Sequence, residues 1–170
     1  MNADRRSLSF SMNYGGCANV NDEWIALCFD QTRSQDCRRS MSSVHDWTRL
    51  DRSLLTHERT RIAASKKNII AVGSHYHTHA ELYDVSYGQW TQIPDYPFGT
   101  AINQAPIVGL DSPDEKFVIF GGYDKEAGRP RSTISEFIVD QNEWHIIGEL
   151  KTSRQGHGAT YRDGVFWVVG

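Results

Sequence analysis

The sequence predicts an all-β protein built from consecutive units of four short antiparallel strands. Four stretches each combine small residues, a polar turn and an apolar run. They end at Phe29, Gly73, Gly121 and Gly170, with spacings of 44, 48 and 49 residues. Aromatic residues make up 11% of the 170 residues, and aromatic side chains favour strands. No segment shows the sustained 3.6-residue period of an amphipathic helix.

The units predicted from these spacings are residues 16–59, 60–104, 105–156 and 157–170. In the second and third units the apolar runs 69–72 and 118–120 are continuous rather than alternating. A continuous short apolar run is typical of a strand that is buried on both faces. Each of these strands is therefore expected to lie between two neighbouring units. The fourth unit contains only the first half of the pattern.

A second pattern follows two of the glycine positions. Tyr83 is followed seven residues later by Trp90, and Phe137 is followed seven residues later by Trp144. The first unit has a weaker copy around Trp47. Each Trp begins another short extended stretch, which completes four strands per unit. Four strands at a period near 50 residues predict the blades of a β-propeller.

These residues resemble the kelch repeat, in which a Gly-Gly doublet closes an apolar strand and an aromatic residue and a Trp follow. Gly121-Gly122 is a full doublet, Gly73 keeps half of it, and Gly170 is the first glycine of another. The resemblance implies a kelch-like propeller and covers nearly the whole chain. It assigns structural roles to Gly73, Gly121, Gly122, Tyr83, Trp90, Phe137, Trp144 and Gly170.

The predicted number of units is too small for a closed propeller. Residues 1–170 hold three units and half of a fourth, whereas closed propellers have about four to eight blades. We therefore expect an incomplete propeller, a fragment of a longer protein. An open arc would expose apolar strand faces such as the run 165–169, so poor solubility or self-association is expected.

Composition and motifs exclude several classes of function. Lys and Arg total 18 against 21 Asp and Glu, so the basic excess of a nucleic-acid-binding protein is missing. No apolar stretch approaches 18 residues, so no membrane span is expected in this segment. No nucleophile elbow, phosphate-binding glycine loop or His-Glu-x-x-His sequence occurs. The sequence therefore predicts no catalytic residue and no cofactor.

The cysteines at positions 28 and 37 fall at facing ends of two predicted antiparallel strands. Their thiols are expected to lie near each other, either as a disulfide or as two buried free thiols. Localisation stays open: a disulfide indicates an oxidising, extracellular setting, whereas free thiols favour the cytoplasm. In the first case Cys17 is left over, and it either pairs outside this chain or stays free.

Three histidines alternate along the chain at His75, His77 and His79. On a strand, alternate side chains share a face, so three imidazoles would converge as metal ligands. The segment follows Gly73 directly, however, where a loop is predicted. A solvated histidine cluster in a loop is therefore the competing interpretation, and no metal site is predicted.

Two loops carry side chains that suit polar recognition of a partner. The longer spans residues 123–132 and includes Tyr123, Asp124, Arg129 and Arg131. The other spans residues 94–99, where Tyr96 and Phe98 are either exposed or packed against the blade. The alternative for both loops is a solvated connector without a binding role.

The resemblance implies a non-enzymatic protein–protein interaction module that binds an unidentified protein partner through its loops. One alternative is an enzyme propeller, an oxidase or a hydrolase, whose active residues lie on blades outside this chain. Another is the substrate-recognition part of an intracellular ubiquitin-ligase adaptor.

Overall fold

The structure is a computed structural model that describes residues 15–30, 33–41, 47–99, 102–111 and 113–170. Within these ranges it contains β-strands and no helix, which confirms the predicted all-β class. The strands, in chain order, are β1 (Gly16–Val20), β2 (Trp24–Asp30), β3 (Arg33–Met41), β4 (Trp47–Arg49), β5 (Ile62–Ala64), β6 (Asn68–Val72), β7 (Ala80–Asp84), β8 (Gln89–Ile93), β9 (Ile107–Leu110), β10 (Lys116–Phe120), β11 (Tyr123–Asp124), β12 (Arg129–Ile138), β13 (Glu143–Arg154), β14 (Gly158–Arg162) and β15 (Val165–Val169).

The strands form separate antiparallel sheets that follow one another along the chain. The first sheet has the order β1-β2-β3-β4 and the second β5-β6-β7-β8. The third has the order β9-β10-β12-β13, and the short β11 pairs with the first two residues of β12. The fourth is the hairpin β14-β15. Each sheet lies within one of the units delimited from the sequence.

The apolar core lies between successive sheets, and the middle strands have two buried faces. In β6, Ile69 and Ala71 belong to the cluster shared with the first sheet. Ile70 and Val72 belong to the cluster shared with the third sheet. The strand β10 repeats this arrangement, since its alternate residues divide between the second sheet and the last hairpin. The continuous apolar runs in the sequence therefore reflect burial on both sides.

Successive sheets approach most closely through their first strands. β1 contacts β5, β5 contacts β9, and β9 contacts β14. A Cβ atom on Gly16 would lie 2.8 Å from the Ile62 nitrogen, and one on Gly109 would lie 2.7 Å from the Ala64 carbonyl carbon. These distances are too short for real side chains, so glycine at both positions permits backbone contact between sheets.

The aromatic residues of the second pattern join strands within a sheet and connect it to loops. Tyr83 and Trp90 face each other across β7 and β8 with ring centroids 5.3 Å apart. Phe137 and Trp144 form the equivalent pair at 4.9 Å. The Trp90 indole N–H donates to the Asp51 carbonyl oxygen at 3.0 Å. Buried aromatic pairs of this kind add about 0.5–1.5 kcal/mol beyond their area burial.

Antiparallel pairing places the loops at two opposite ends of the sheets. The connection end holds the links between sheets and the loops after β6 and β10, which are residues 50–61, 73–79, 94–99, 102–106, 121–128 and 155–157. The turn end holds the short turns between first and second strands, residues 21–23, 65–67, 111, 113–115 and 163–164. At the turn end the Asn21 amide donates to the Lys66 carbonyl oxygen at 2.9 Å. The Lys66 backbone N–H donates to Asp111 at 2.5 Å.

Candidate functional site

The connection end carries a buried polar pair that fixes the link between the first and second sheets. His57 Nδ1 donates to the Gly73 carbonyl oxygen at 2.9 Å, and one proton lies between His57 Nε2 and Glu81 Oε2, which are 2.8 Å apart. Both side chains are fully buried. The Glu81 carboxylate also accepts the backbone N–H groups of Leu54 and Leu55 at 2.8 and 3.0 Å. The pair therefore holds the segment 50–61 against β7.

The three alternating histidines lie in a loop and not on a strand. Ser74 Oγ accepts the backbone N–H groups of Tyr76 and His77 at 3.0 and 3.2 Å. The Gly73 N–H donates to the His79 carbonyl oxygen at 2.6 Å. These bonds close a compact turn, so the three side chains do not line one face of a strand, although the His77 and His79 ring centroids lie 4.3 Å apart. In the described ranges no group of three or more His, Cys, Asp or Glu side chains is arranged to hold a metal.

Each of the three histidines has its own contacts. His77 Nδ1 accepts the His79 backbone N–H at 3.3 Å, and Nε2 lies 3.4 Å from the Thr56 hydroxyl. Burial, followed by repulsion from His79 and His57, lowers the pKa of His77 to about 4. His79 Nδ1 lies 3.0 Å from Asp95 Oδ2. His77 therefore has a neutral ring, whereas His79 is partly exposed and lies beside the carboxylate of Asp95.

His75 joins the loop 73–79 to the connection between the second and third sheets. Its Nδ1 lies 3.3 Å from the Asn103 amide nitrogen, which donates to it. Burial, followed by the charge on Lys125, lowers the pKa of His75. The Lys125 ammonium lies 4.0 Å from the centroid of the exposed Tyr76 ring. This cation–π contact links the loop 73–79 to the loop after β10.

The segment 123–132, expected to be a long loop, is mostly a hairpin of β11 and β12. Its turn is closed by Asp124, whose Oδ1 accepts the backbone N–H groups of Glu126 and Ala127 at 3.1 Å. Asp124 Oδ2 accepts the Arg131 guanidinium at 2.7 and 3.2 Å. Burial acts to raise the pKa of Asp124, but the hydrogen bond from Ala127 and the guanidinium of Arg131 outweigh it and lower that pKa.

A shallow cleft of about 400 Å³ lies along this hairpin. The exposed Arg129 and the Asp124–Arg131 pair are among the residues that line it. Three residues with hydroxyl groups, Ser132, Thr133 and Ser153, also line it. Four residues named from the sequence for this loop therefore lie together: Tyr123 and Asp124 form β11, and Arg129 and Arg131 begin β12.

Of the two aromatic residues in the loop 94–99, Tyr96 lies in the core and is not a surface contact. It is 1% exposed, its ring packs edge-on against Phe98 and Trp144, and its hydroxyl accepts a hydrogen bond from Ser135 at 3.3 Å. Phe98 is half-buried against the same cluster. The alternative in which both side chains pack against the sheet is therefore the correct one.

Cys28 and Cys37 form a disulfide pair, as one of the two alternatives predicted. They are directly opposite in β2 and β3, with Cα atoms 4.1 Å apart, and both are buried. Cys17 is free and exposed on β1. The pair lies on the first sheet, whereas the cleft lies on the third.

Some polar residues of the connection end were not predicted from the sequence. His57 and Glu81 are 24 residues apart, and no local pattern marks them as partners. His157 is 6% exposed, and neither of its ring nitrogens has a hydrogen-bond partner within the described structure. Burial, followed by the charge on Arg154, lowers the pKa of His157. In the sequence, the pattern Arg-x-x-His-Gly at 154–158 is the feature that could have drawn attention to His157.

Comparison with known proteins identifies a fold and no family. No protein-family model matches the sequence, and no curated protein matches it. Among solved structures the chain is similar to the structure of YjhT, with a TM-score of 0.76 and 12% sequence identity. The match covers 94% of this chain and 58% of the YjhT chain. At that identity the likeness concerns the fold alone.

The described part of the chain also contains no helix that is both long and apolar enough to cross a membrane.

Proposed function

We propose that this chain is part of a kelch-like propeller that binds a protein partner through its connection end without catalysing a reaction. Positive backbone φ angles at Gly73, Gly121 and Gly122, which are 73°, 58° and 99°, support the kelch resemblance. The sequential contact of first strands supports a propeller, because first strands are the innermost strands of its blades.

The observation that carries the binding role is the cleft beside the hairpin of β11 and β12. The guanidinium of Arg129 has no hydrogen bond or ion pair with any described residue. It projects from a hairpin that the Asp124–Arg131 pair holds in place. Unpaired recognition groups on a rigid support are the usual arrangement of a protein-binding loop. The His57–Glu81 pair of the same end is fully buried, so it offers no group to a partner.

The disulfide supports an extracellular setting for this module. Disulfides persist in oxidising compartments and are rare in the cytosol. The Cys28–Cys37 pair therefore favours a secreted or cell-surface protein over an intracellular ubiquitin-ligase adaptor.

Site-specific photo-crosslinking tests the proposal. A photo-reactive amino acid is placed at Glu126, on the exposed turn of the hairpin, and in a matched variant at Glu23, an exposed position of the turn end. On cells that express the protein, we expect specific protein adducts from position 126 and none from position 23. Adducts from position 23 alone, or from neither position, would overturn the assignment of the connection end as the binding surface.

A further inference from the structure

The residues that line the cleft on the third sheet carry hydrogen-bond donors that the protein itself does not use. Within the described chain, the Arg129 guanidinium and the hydroxyl groups of Ser132, Thr133 and Ser153 have no hydrogen-bond partner. A guanidinium presents five N–H donors in a fixed planar fork and no acceptor, and hydroxyl groups also donate. The cleft is therefore arranged to receive a ligand that accepts hydrogen bonds.

The charges of the cleft indicate the charge of that ligand. Arg129 and Arg131 contribute two positive charges and Asp124 one negative charge, which leaves a local excess of one positive charge. Arg154 lies opposite Arg131 in the register of β12 and β13, although its guanidinium donates to the Gly170 carbonyl oxygen at 2.8 Å. This local excess contrasts with the net charge of −3 of the whole chain.

We propose that the cleft binds the side-chain carboxylate of an acidic residue in a peptide segment of the partner, with Arg129 as the main contact. The inference rests on the proposed function and specifies its partner chemistry. A carboxylate matches the guanidinium fork with two parallel hydrogen bonds. The hydroxyl groups of Ser132, Thr133 and Ser153 are available to the peptide backbone around it.

Asp124 makes the cleft select against a phosphate group. A phosphate monoester carries a charge of about −1.5 to −2 at neutral pH, which exceeds the local positive charge. The Asp124 carboxylate, 10% exposed beside Arg131, would repel the additional charge. A singly charged carboxylate is therefore the anion that the cleft neutralises most completely.

Arg131 is held in position by its surroundings and is less available for a ligand. A Cβ atom on Gly99 would lie 2.5 to 2.8 Å from atoms of the Arg131 guanidinium, so glycine at this position allows the guanidinium to pack against the backbone. Together with the two hydrogen bonds to Asp124, this packing fixes Arg131 as a wall of the cleft. The freely exposed Arg129 is the ligand-binding guanidinium.

Nuclear magnetic resonance on the ¹⁵N-labelled 170-residue chain, at a concentration below the onset of its association, tests the inference. The probes are an acetylated and amidated Gly-Glu-Gly-Glu-Gly peptide, the same peptide with Gln in place of Glu, and inorganic phosphate. We expect the Glu peptide to shift the Arg129 Nε–H signal in a saturable manner and the Gln peptide not to do so. Phosphate is expected to bind at least about tenfold more weakly than the Glu peptide.

Two substitutions and a control locate the binding. Arg129→Gln is expected to weaken the Glu peptide at least about tenfold, whereas Arg162→Gln, at an exposed arginine of the last hairpin, leaves it unchanged. Asp124→Asn keeps an Oδ1 acceptor for the turn and removes the negative charge. It is expected to strengthen phosphate binding about tenfold and reduce the preference for the carboxylate.

Three results would overturn the inference: equal binding of the Gln peptide, unchanged binding in Arg129→Gln, or no gain of phosphate binding in Asp124→Asn. If these occur while crosslinks from position 126 persist, the connection end is still a protein-binding surface and only its carboxylate chemistry is wrong. If the crosslinks are missing as well, both proposals are wrong.

Discussion

His77 has a neutral imidazole at physiological pH because its pKa is lowered to about 4 from the usual 6.5. In the unfolded chain the ring takes up a proton as the pH falls through 6.5, whereas in the folded chain it does so only near pH 4. The unfolded state therefore binds more protons in this window. The free energy of unfolding falls as the pH decreases from 6.5 to 4.

The substitution His77→Asn isolates this effect. Asparagine supplies an oxygen near the position of Nδ1 to accept the His79 N–H, and it does not titrate. We expect the free energy of unfolding to decline less steeply between pH 6.5 and 4 in the variant than in the unmodified protein. Urea denaturation followed by tryptophan fluorescence at several pH values measures both slopes. If the free energy of unfolding has the same pH dependence in both proteins, the effect does not come from His77.

At the residue scale the sequence predicted contacts between residues that are close in the chain better than contacts across it. Cys28 and Cys37 were recognised as a possible pair because a short hairpin joins them. The segment from His75 to His79 was predicted to be a loop, but the turn that the Ser74 hydroxyl closes within it is not visible in the alternation of histidines. Tyr96 has one of the most buried side chains, yet nothing in the sequence 94–99 distinguishes it from an exposed aromatic residue.

The hairpin of β2 and β3 provides a prediction at the scale of elements. Thiol titration of the denatured, unreduced chain is expected to find one free thiol, that of Cys17, and three after reduction. The disulfide closes a loop between residues that are 9 positions apart. Closing a loop of this length is expected to add about 2–3 kcal/mol to the free energy of unfolding. Three free thiols before reduction would show that the disulfide does not form.

The contact between the first strands of neighbouring sheets provides a second prediction at this scale. Gly109→Ala places a Cβ atom against the Ala64 backbone, and overpacking of this kind costs about 1–3 kcal/mol. Gly148→Ala is the matched control, because its Cβ atom would contact only Ile134 at 3.9 Å. Chemical denaturation should show a clear loss of stability for Gly109→Ala and little change for the control. Equal stabilities would mean that the sheets adjust to the added group.

The sequence predicted the existence of the strands better than it predicted their lengths. Continuous apolar runs and the Tyr–Trp spacing located the middle and outer strands of the second and third sheets. The segment 123–132 was read as a loop because its charged and glycine residues are typical of one. In the structure this segment extends the sheet, because β11 pairs with the first two residues of β12 and Asp124 closes the turn between the two strands.

At the scale of the whole molecule, the last hairpin has one covered and one uncovered apolar face. Phe166 and Val168 pack against the third sheet, whereas Val165, Trp167 and Val169 are 53%, 58% and 70% exposed. Contiguous exposed apolar side chains promote association in water. The expectation of poor solubility, reached from the sequence, therefore has a definite location in the structure.

Replacing Val165, Trp167 and Val169 together by threonine tests this location. Threonine retains strand propensity while removing most of the apolar surface. Light scattering should show less concentration-dependent association for the triple variant than for the unmodified chain. Leu54→Thr, at an isolated exposed leucine, serves as the control and should leave association unchanged. If the triple variant associates at the same concentration, another surface is responsible.

The hydrogen bonds at the turn end have a consequence for how such a protein changes during evolution. The turn residues Asn21 and Asp111 each bond to the backbone of Lys66 in a neighbouring sheet. An inserted or deleted residue in one of these turns would therefore disturb two sheets at once. The hairpin turn 125–128 is closed by Asp124 within its own unit. Apart from the contact between Lys125 and Tyr76, a change of length at that turn would disturb only its own hairpin, so we expect new loop lengths to be tolerated better there than at the turn end.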